Sequence, residues 1–138
     1  MISKEALHRK TSQEITALLY EALLDHLEEA LASSNKTDYH STNLHLQKAN
    51  NILERLGAGL NYEAGIIADQ LETLYQYASS LVVEANLTKD SDKIIEVIAI
   101  IESISIAWKE AIETNDDHQH IRVKRQTQAY ESQATYQS

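Results

Sequence analysis

The chain has 138 residues, a formal net charge of −9, no cysteine, no proline and only three glycines. That length suits one domain able to bury about 65% of the surface its unfolded chain exposes, and the missing thiols exclude disulfides and thiolate metal sites. Without a charged-then-apolar leader or an apolar run of about 18 residues, the expectation is a soluble, cytoplasmic protein with no membrane insertion.

Charge narrows the partners further. Residues 1–117 hold 9 Lys and Arg against 20 Asp and Glu, a balance that repels phosphate backbones, so no nucleic acid is expected. The scarcity of helix breakers favours long helices over strands with tight turns. With no Phe in the chain, the core must come from Leu, Ile, Val and Ala, with Trp108 and some of the seven tyrosines filling larger gaps.

Residues 1–10, MISKEALHRK, offer Ile2 and Leu7 as isolated apolar points and are too short to fold alone. Thr11-Ser12-Gln13-Glu14 has the form of a capping box, in which the Thr hydroxyl and the Glu carboxylate satisfy orphan amides reciprocally, and predicts the start of the first helix. Its apolar face runs through Ile15, Leu18, Leu19, Ala22, Leu23, His26, Leu27, Ala30 and Leu31, ending near Ser33. A second helix starts with Thr37 or Asp38 as cap and keeps three-four spacing through Tyr39, Thr42, Leu46, Ala49, Leu53, Leu56 and Leu60. Gly57 and Gly59 loosen its last turn, and residues 61–65 form the corner.

The third helix carries Ile67, Leu71, Leu74, Ala78, Leu81 and Ala85 as its inward stripe. Tyr75 and Val82 lie on one flank, Tyr77 on the other, and Ile66 and Val83 further round, so it is more apolar than a single buried face requires. After Thr88, Ser91 or Asp92 is expected to cap a fourth helix with seams at Ile94, Ile98, Ile101, Trp108, Ile112 and at Val97, Ile104, Ala111. Ile95, Ala99 and Ile106 spread apolar surface to its far side. From Glu113 the pattern dissolves into a polar stretch. The expectation is an all-α, antiparallel four-helix bundle over residues 11–113, with a short N-terminal segment 1–10 and a polar tail 114–138, disordered or a frayed helical extension.

The chemical inventory is thin. His118-Gln119-His120 beside Asp116-Asp117 reads as a solvated tail before it reads as a metal site, and Glu5 to His8 gives the E-x-x-H spacing of di-iron bundles only once. His26 is read as a partly buried histidine bonded to a neighbour. His45-Leu46-Gln47-Lys48-Ala49 distantly resembles the H-x-L-K-G segment of histidine phosphotransfer domains, but only His45 and Lys48 match, and an exposed histidine on the wet face of the second helix is the simpler reading. No catalytic residue, cofactor or metal is expected. Tyr75 and Tyr77 suit core flanks with hydroxyls at the rim or the wall of a binding groove, and spacing alone leaves both open.

Several segments in order carry a resemblance. Glu14-Ile15 with Leu19-Tyr20, Lys48-Ala49 with Ile52, then Leu60, Glu63, Gly65, Ile67-Ala68, Leu71 and Leu74-Tyr75-Gln76-Tyr77, continued by Leu81 and Glu84-Ala85-Asn86, and finally Trp108, are similar to the signatures of the flagellin-specific secretion chaperones of bacteria, the FliS family. The resemblance spans about Ile2 to Ile112, with Ser12, Asn61 and Ile2 standing where the family commonly has proline, aspartate and tyrosine. It implies a cytosolic chaperone that holds the C-terminal helical segment of flagellin, prevents premature polymerisation and delivers it to the flagellar export gate. An anti-sigma factor or co-chaperone would be a possible additional partner, and the chain would be a monomer or a homodimer. A client helix laid in an apolar groove would cover the surplus on helices three and four. The residues expected to meet it are Tyr20, Ile67, Leu71, Tyr75, Tyr77, Val82, Ile95 and Ile106, with Ile2 and Leu7 as a displaceable cap. A simple homodimeric bundle is the remaining alternative.

Overall fold

The computed structural model describes residues 3–61 and 65–136, with four helices in the order α1 (Lys4–Asn35), α2 (Tyr39–Ala58), α3 (Ile66–Thr88) and α4 (Ser91–Tyr136). No strand occurs among the described residues. The chain divides into two compact units, Met1–Ser105 and Ile106–Ser138.

In the first unit, side-chain pairs give the topology. His26 meets His45 and Ser33 meets Thr42, so α1 and α2 run antiparallel. Asn50 meets Ser79 and Asn43 meets Asn86, which does the same for α2 and α3. Glu84 pairs with Lys93 and Tyr77 with Glu96, closing α3 against α4. Ser34 reaches Ser91, tying the end of α1 to the start of α4. The expected antiparallel four-helix bundle is therefore the architecture.

α1 starts at Lys4, seven residues before the capping box. Lys4, Glu5, Ala6 and Leu7 are good helix formers with no Gly or Pro between them and Thr11, so the helix is already running when it reaches the box. Thr16 then donates its hydroxyl to the Ser12 carbonyl, a bond typical of a helix interior.

Short turns set the other boundaries. Asp38 caps α2, its carboxylate accepting from the Ser41 amide at 3.3 Å, while Thr37 before it takes a positive φ of 59°. Gly65 precedes α3 with φ 66° and ψ −125°, a backbone region essentially reserved for glycine. Lys89 ends α3 in the left-handed conformation. The next helix is capped one residue earlier than expected, since the Asp92 amide donates to Asp90 Oδ1 at 3.0 Å.

The core is built from Tyr20, Leu23, Leu27 and Ala30 of α1, Leu46, Ala49, Leu53 and Leu56 of α2, Ala68, Tyr75, Ala78, Val82 and Ala85 of α3, and Ile94, Val97, Ile101 and Ile104 of α4. Tyr20 and Tyr75 put their hydroxyls in direct hydrogen bond across the α1–α3 diagonal, with tilted rings 6.4 Å apart. Burial raises the pKa of both phenols, so both stay protonated. Among the described residues every buried side-chain nitrogen and oxygen has a partner.

In the second unit the α4 helix continues to Tyr136. Helix thus runs through the segment where the apolar repeat fades after Glu113. Trp108 and Ile112 are half-buried and Ala111 is exposed.

Candidate partner-binding surface

α3 carries exposed apolar side chains beside its buried stripe. Its inward stripe is Ala68, Leu71, Tyr75, Ala78, Val82 and Ala85, with Leu81 buried at the edge. That sequence keeps steps of three and four, as does the stripe expected from the aliphatic pattern, and the two share Leu71, Ala78 and Ala85. The helix adopts the phase that sends Tyr75 to Tyr20. Ile67 and Leu74, expected inward, are left on the surface.

The proposed contacts therefore divide. Tyr20, Tyr75 and Val82 are core residues, Val82 being 1% exposed, which corrects the expectation that they face a partner. Their burial has a physical cause: the two hydroxyls satisfy each other, and Val82 lies two turns beyond Tyr75 on the same line. Leu71 is half-buried at the margin. Ile67 (64% exposed), Tyr77 (49%) and Ile95 (50%) are open to solvent. Ile106, at 59%, opens the second unit and is equally bare. Ile2, and the side chain of Leu7, lie outside the described residues.

Ile66, Ile67, Leu74 and Tyr77 form one strip along the first half of α3. They fall within about 100° of the helix circumference, on the flank between the core and α4. The Tyr77 hydroxyl donates to Glu96 Oε1 at 2.8 Å, holding the ring at the α3–α4 edge. That bond, with the carboxylate charge beside it, raises the phenol pKa. Farther along, Glu84 and Lys93 close the edge at 3.2 Å. The lower end of the strip is thus apolar, and its upper end is rimmed by charge.

Ile95 does not join this strip. It lies about 100° round α4 from both Ile94, which is buried, and Glu96, which faces Tyr77, and so leaves the flank that meets α3. Apolar surface missed from the pattern includes Leu44 and Leu87, both isolated points outside any repeat, and Ile15 and Leu18, read as core but exposed near the start of the α1 face. Val83 is exposed as expected.

The histidines also separate. His45 is not on a wet face: its Nδ1 lies 3.1 Å from His26 Nδ1, on the seam between α1 and α2, and both rings are half-buried. His26 is thus bonded to a neighbour, as read from its position. No group of three or more His, Asp or Glu that would suit a metal ion occurs among the described residues, and no helix there is long and apolar enough to cross a membrane.

Comparison with known proteins bears on all of this. The chain is 27% identical over 117 residues to the flagellar secretion chaperone FliS of Bacillus subtilis (strain 168), covering 85% of this chain and 87% of that one. To the flagellar secretion chaperone FliS of Escherichia coli (strain K12) it is 28% identical over 111 residues, covering 79% and 82%. A crystal structure of a flagellar chaperone from bacteria superposes with a TM-score of 0.69 at 19% identity, over 74% of this chain and 84% of that one, which is agreement in fold. Residues 3–115 match the family described as flagellar protein FliS. With that match spanning well over half of the chain, from before α1 into α4, the chain belongs to the FliS family of flagellar secretion chaperones.

Proposed function

We propose that this flagellar chaperone binds the C-terminal helical segment of flagellin in the cytoplasm, keeps it from polymerising early and hands it to the flagellar export gate. The observation that carries the reading is the strip Ile66, Ile67, Leu74 and Tyr77, apolar and open on a helix whose inward stripe is already complete. An amphipathic client helix laid along it would remove that surface from water through anchors spaced at i, i+3, i+4 and i+7. α3 has 23 residues, so about 35 Å of client helix would cover its length. Ile95 would meet a second stretch of the client, and Ile2 and Leu7 would serve as the displaceable cap.

Calorimetric titration with intact flagellin and with flagellin lacking its C-terminal helical region tests this directly. Binding is expected to the intact client and to vanish with the truncation. Equal affinity for both would move recognition to another part of flagellin. Sedimentation of the isolated chain separates the homodimer: a tight dimer that added flagellin leaves intact would mean that the strip is covered by a second copy.

A further inference from the structure

Two imidazoles confront each other across the α1–α2 seam, with His26 Nδ1 and His45 Nδ1 3.1 Å apart and ring centroids 5.4 Å apart at a 35° tilt. A bond between two like nitrogens requires one to carry the proton and the other a lone pair. With both rings neutral, the donor ring is the Nδ1–H tautomer and the acceptor ring the Nε2–H tautomer. A first added proton goes to the free Nε2 of the donor ring, leaving the bond in place and strengthening it with charge. A second proton has only the accepting Nδ1 left. It turns the contact into two N–H groups pointed at each other between two cations.

Both helices contribute to the surroundings of this pair. Burial, the His45 ring and the Lys48 ammonium, the last two on α2, press the His26 pKa below its ordinary value, while Asp25 and Glu29 on its own helix pull the other way. The interior beneath the seam, Leu23, Leu27, Leu46 and Ala49, is apolar and insensitive to pH. At one end the Ser33 and Thr42 hydroxyls, 3.0 Å apart, hold the helices through groups that do not titrate.

We propose that His26 and His45 form a proton-operated latch on the α1–α2 seam, closed with no proton or one and opened by the second, so that acidification loosens this seam while the apolar core holds. The direction follows from linkage. A histidine held below its ordinary value in the fold contributes its full share of stability above the unfolded value of 6.5 and loses it as pH falls through that value, because the unfolded chain takes up the proton first. Once the folded value is also passed, the loss levels off. Each pH unit by which the second protonation is depressed appears as a tenfold fall in the folded-to-unfolded ratio.

The test is an NMR titration of the full chain, freed of metal by chelation, from about pH 8 to pH 5, following imidazole nitrogens and backbone amides together. His26 and His45 should titrate as a coupled pair in two steps, and the protection of the amides at their own positions and at Ala30 and Ala49, taken relative to the intrinsic exchange rate at each pH, should fall at least tenfold with the second step only. His45→Asn, whose side-chain amide stands near the Nδ1 position without titrating, should abolish the second step and flatten the pH dependence of the urea midpoint. Two independent single-step titrations with unmoved seam amides would overturn the latch. So would a His45→Asn chain that keeps the wild-type pH dependence.

Discussion

Ile67→Ser separates the surface of this bundle from its interior. Fully burying an isoleucine contributes about 1.5–3 kcal/mol. Ile67 is 64% exposed, so roughly two thirds of that sum, about 1–2 kcal/mol, is still available to a partner. Serine forms helix about as readily as isoleucine, so the backbone is little affected. The substitution should therefore weaken flagellin binding about 5- to 30-fold and lower the stability of the free chain by no more than about 1 kcal/mol. Val82→Ala is the counterpart. With 1% of the side chain exposed, nothing remains for a partner to cover, and the loss of packed carbon should cost about 2 kcal/mol of stability, with affinity unchanged for the folded fraction. Calorimetry with flagellin gives one axis, and urea unfolding followed by circular dichroism gives the other. An Ile67→Ser chain with wild-type affinity would remove the strip from the interface. A Val82→Ala chain of wild-type stability but poor affinity would return the buried residue to the contact list.

Tyr20→Phe strips the Tyr75 hydroxyl of its partner inside the core and should lower stability by about 1–3 kcal/mol in urea titration; the Tyr20→Phe/Tyr75→Phe double variant should recover part of that loss, since no donor is then stranded. Asp38→Ala removes the carboxylate that accepts from the Ser41 amide, and a drop of about 0.5–2 kcal/mol is expected from the same measurement. Gly65→Ala meets open space at its Cβ, yet the positive φ makes the backbone strained, so thermal unfolding should show a loss of about 1–3 kcal/mol in spite of the room available.

The number of helices, the α2 seam, the Asp38 cap and the corner ending at Gly65 were all legible in the sequence, because each rests on local chemistry: a three-four repeat, a side chain that reaches an amide, a residue free to take positive φ. The start of α1 was not. A capping box marks a place where a helix can begin, and here a run of good helix formers upstream begins it sooner. The phase of α3 was not legible either. Two stripes with identical spacing compete on that helix, and ranking them by aliphatic character selects Ile67 and Leu74 over Ala68 and Tyr75. What decides between them is a tyrosine 55 residues away, and no window along the sequence contains both.

That choice of phase also explains why surface is left over. Ala68, Ala78 and Ala85 occupy core positions of α3, and small side chains at a contact let helix axes approach closely, within a usual range of about 8–10 Å. Turning α3 so that Ile67 and Leu74 pointed inward would force Ile67 into the space now fitted by Ala68, and would withdraw the Tyr75 hydroxyl from Tyr20. Overpacking of that kind costs about 1–3 kcal/mol, and an unpaired buried hydroxyl costs a similar amount. Those penalties match or exceed the benefit of hiding one more aliphatic side chain. The isolated bundle therefore has a definite reason to keep Ile66, Ile67, Leu74 and Tyr77 outside. A client helix can cover them without disturbing the alanine-lined interior, because the surface it needs is set by the lock between Tyr75 on the inward face of α3 and Tyr20 of α1.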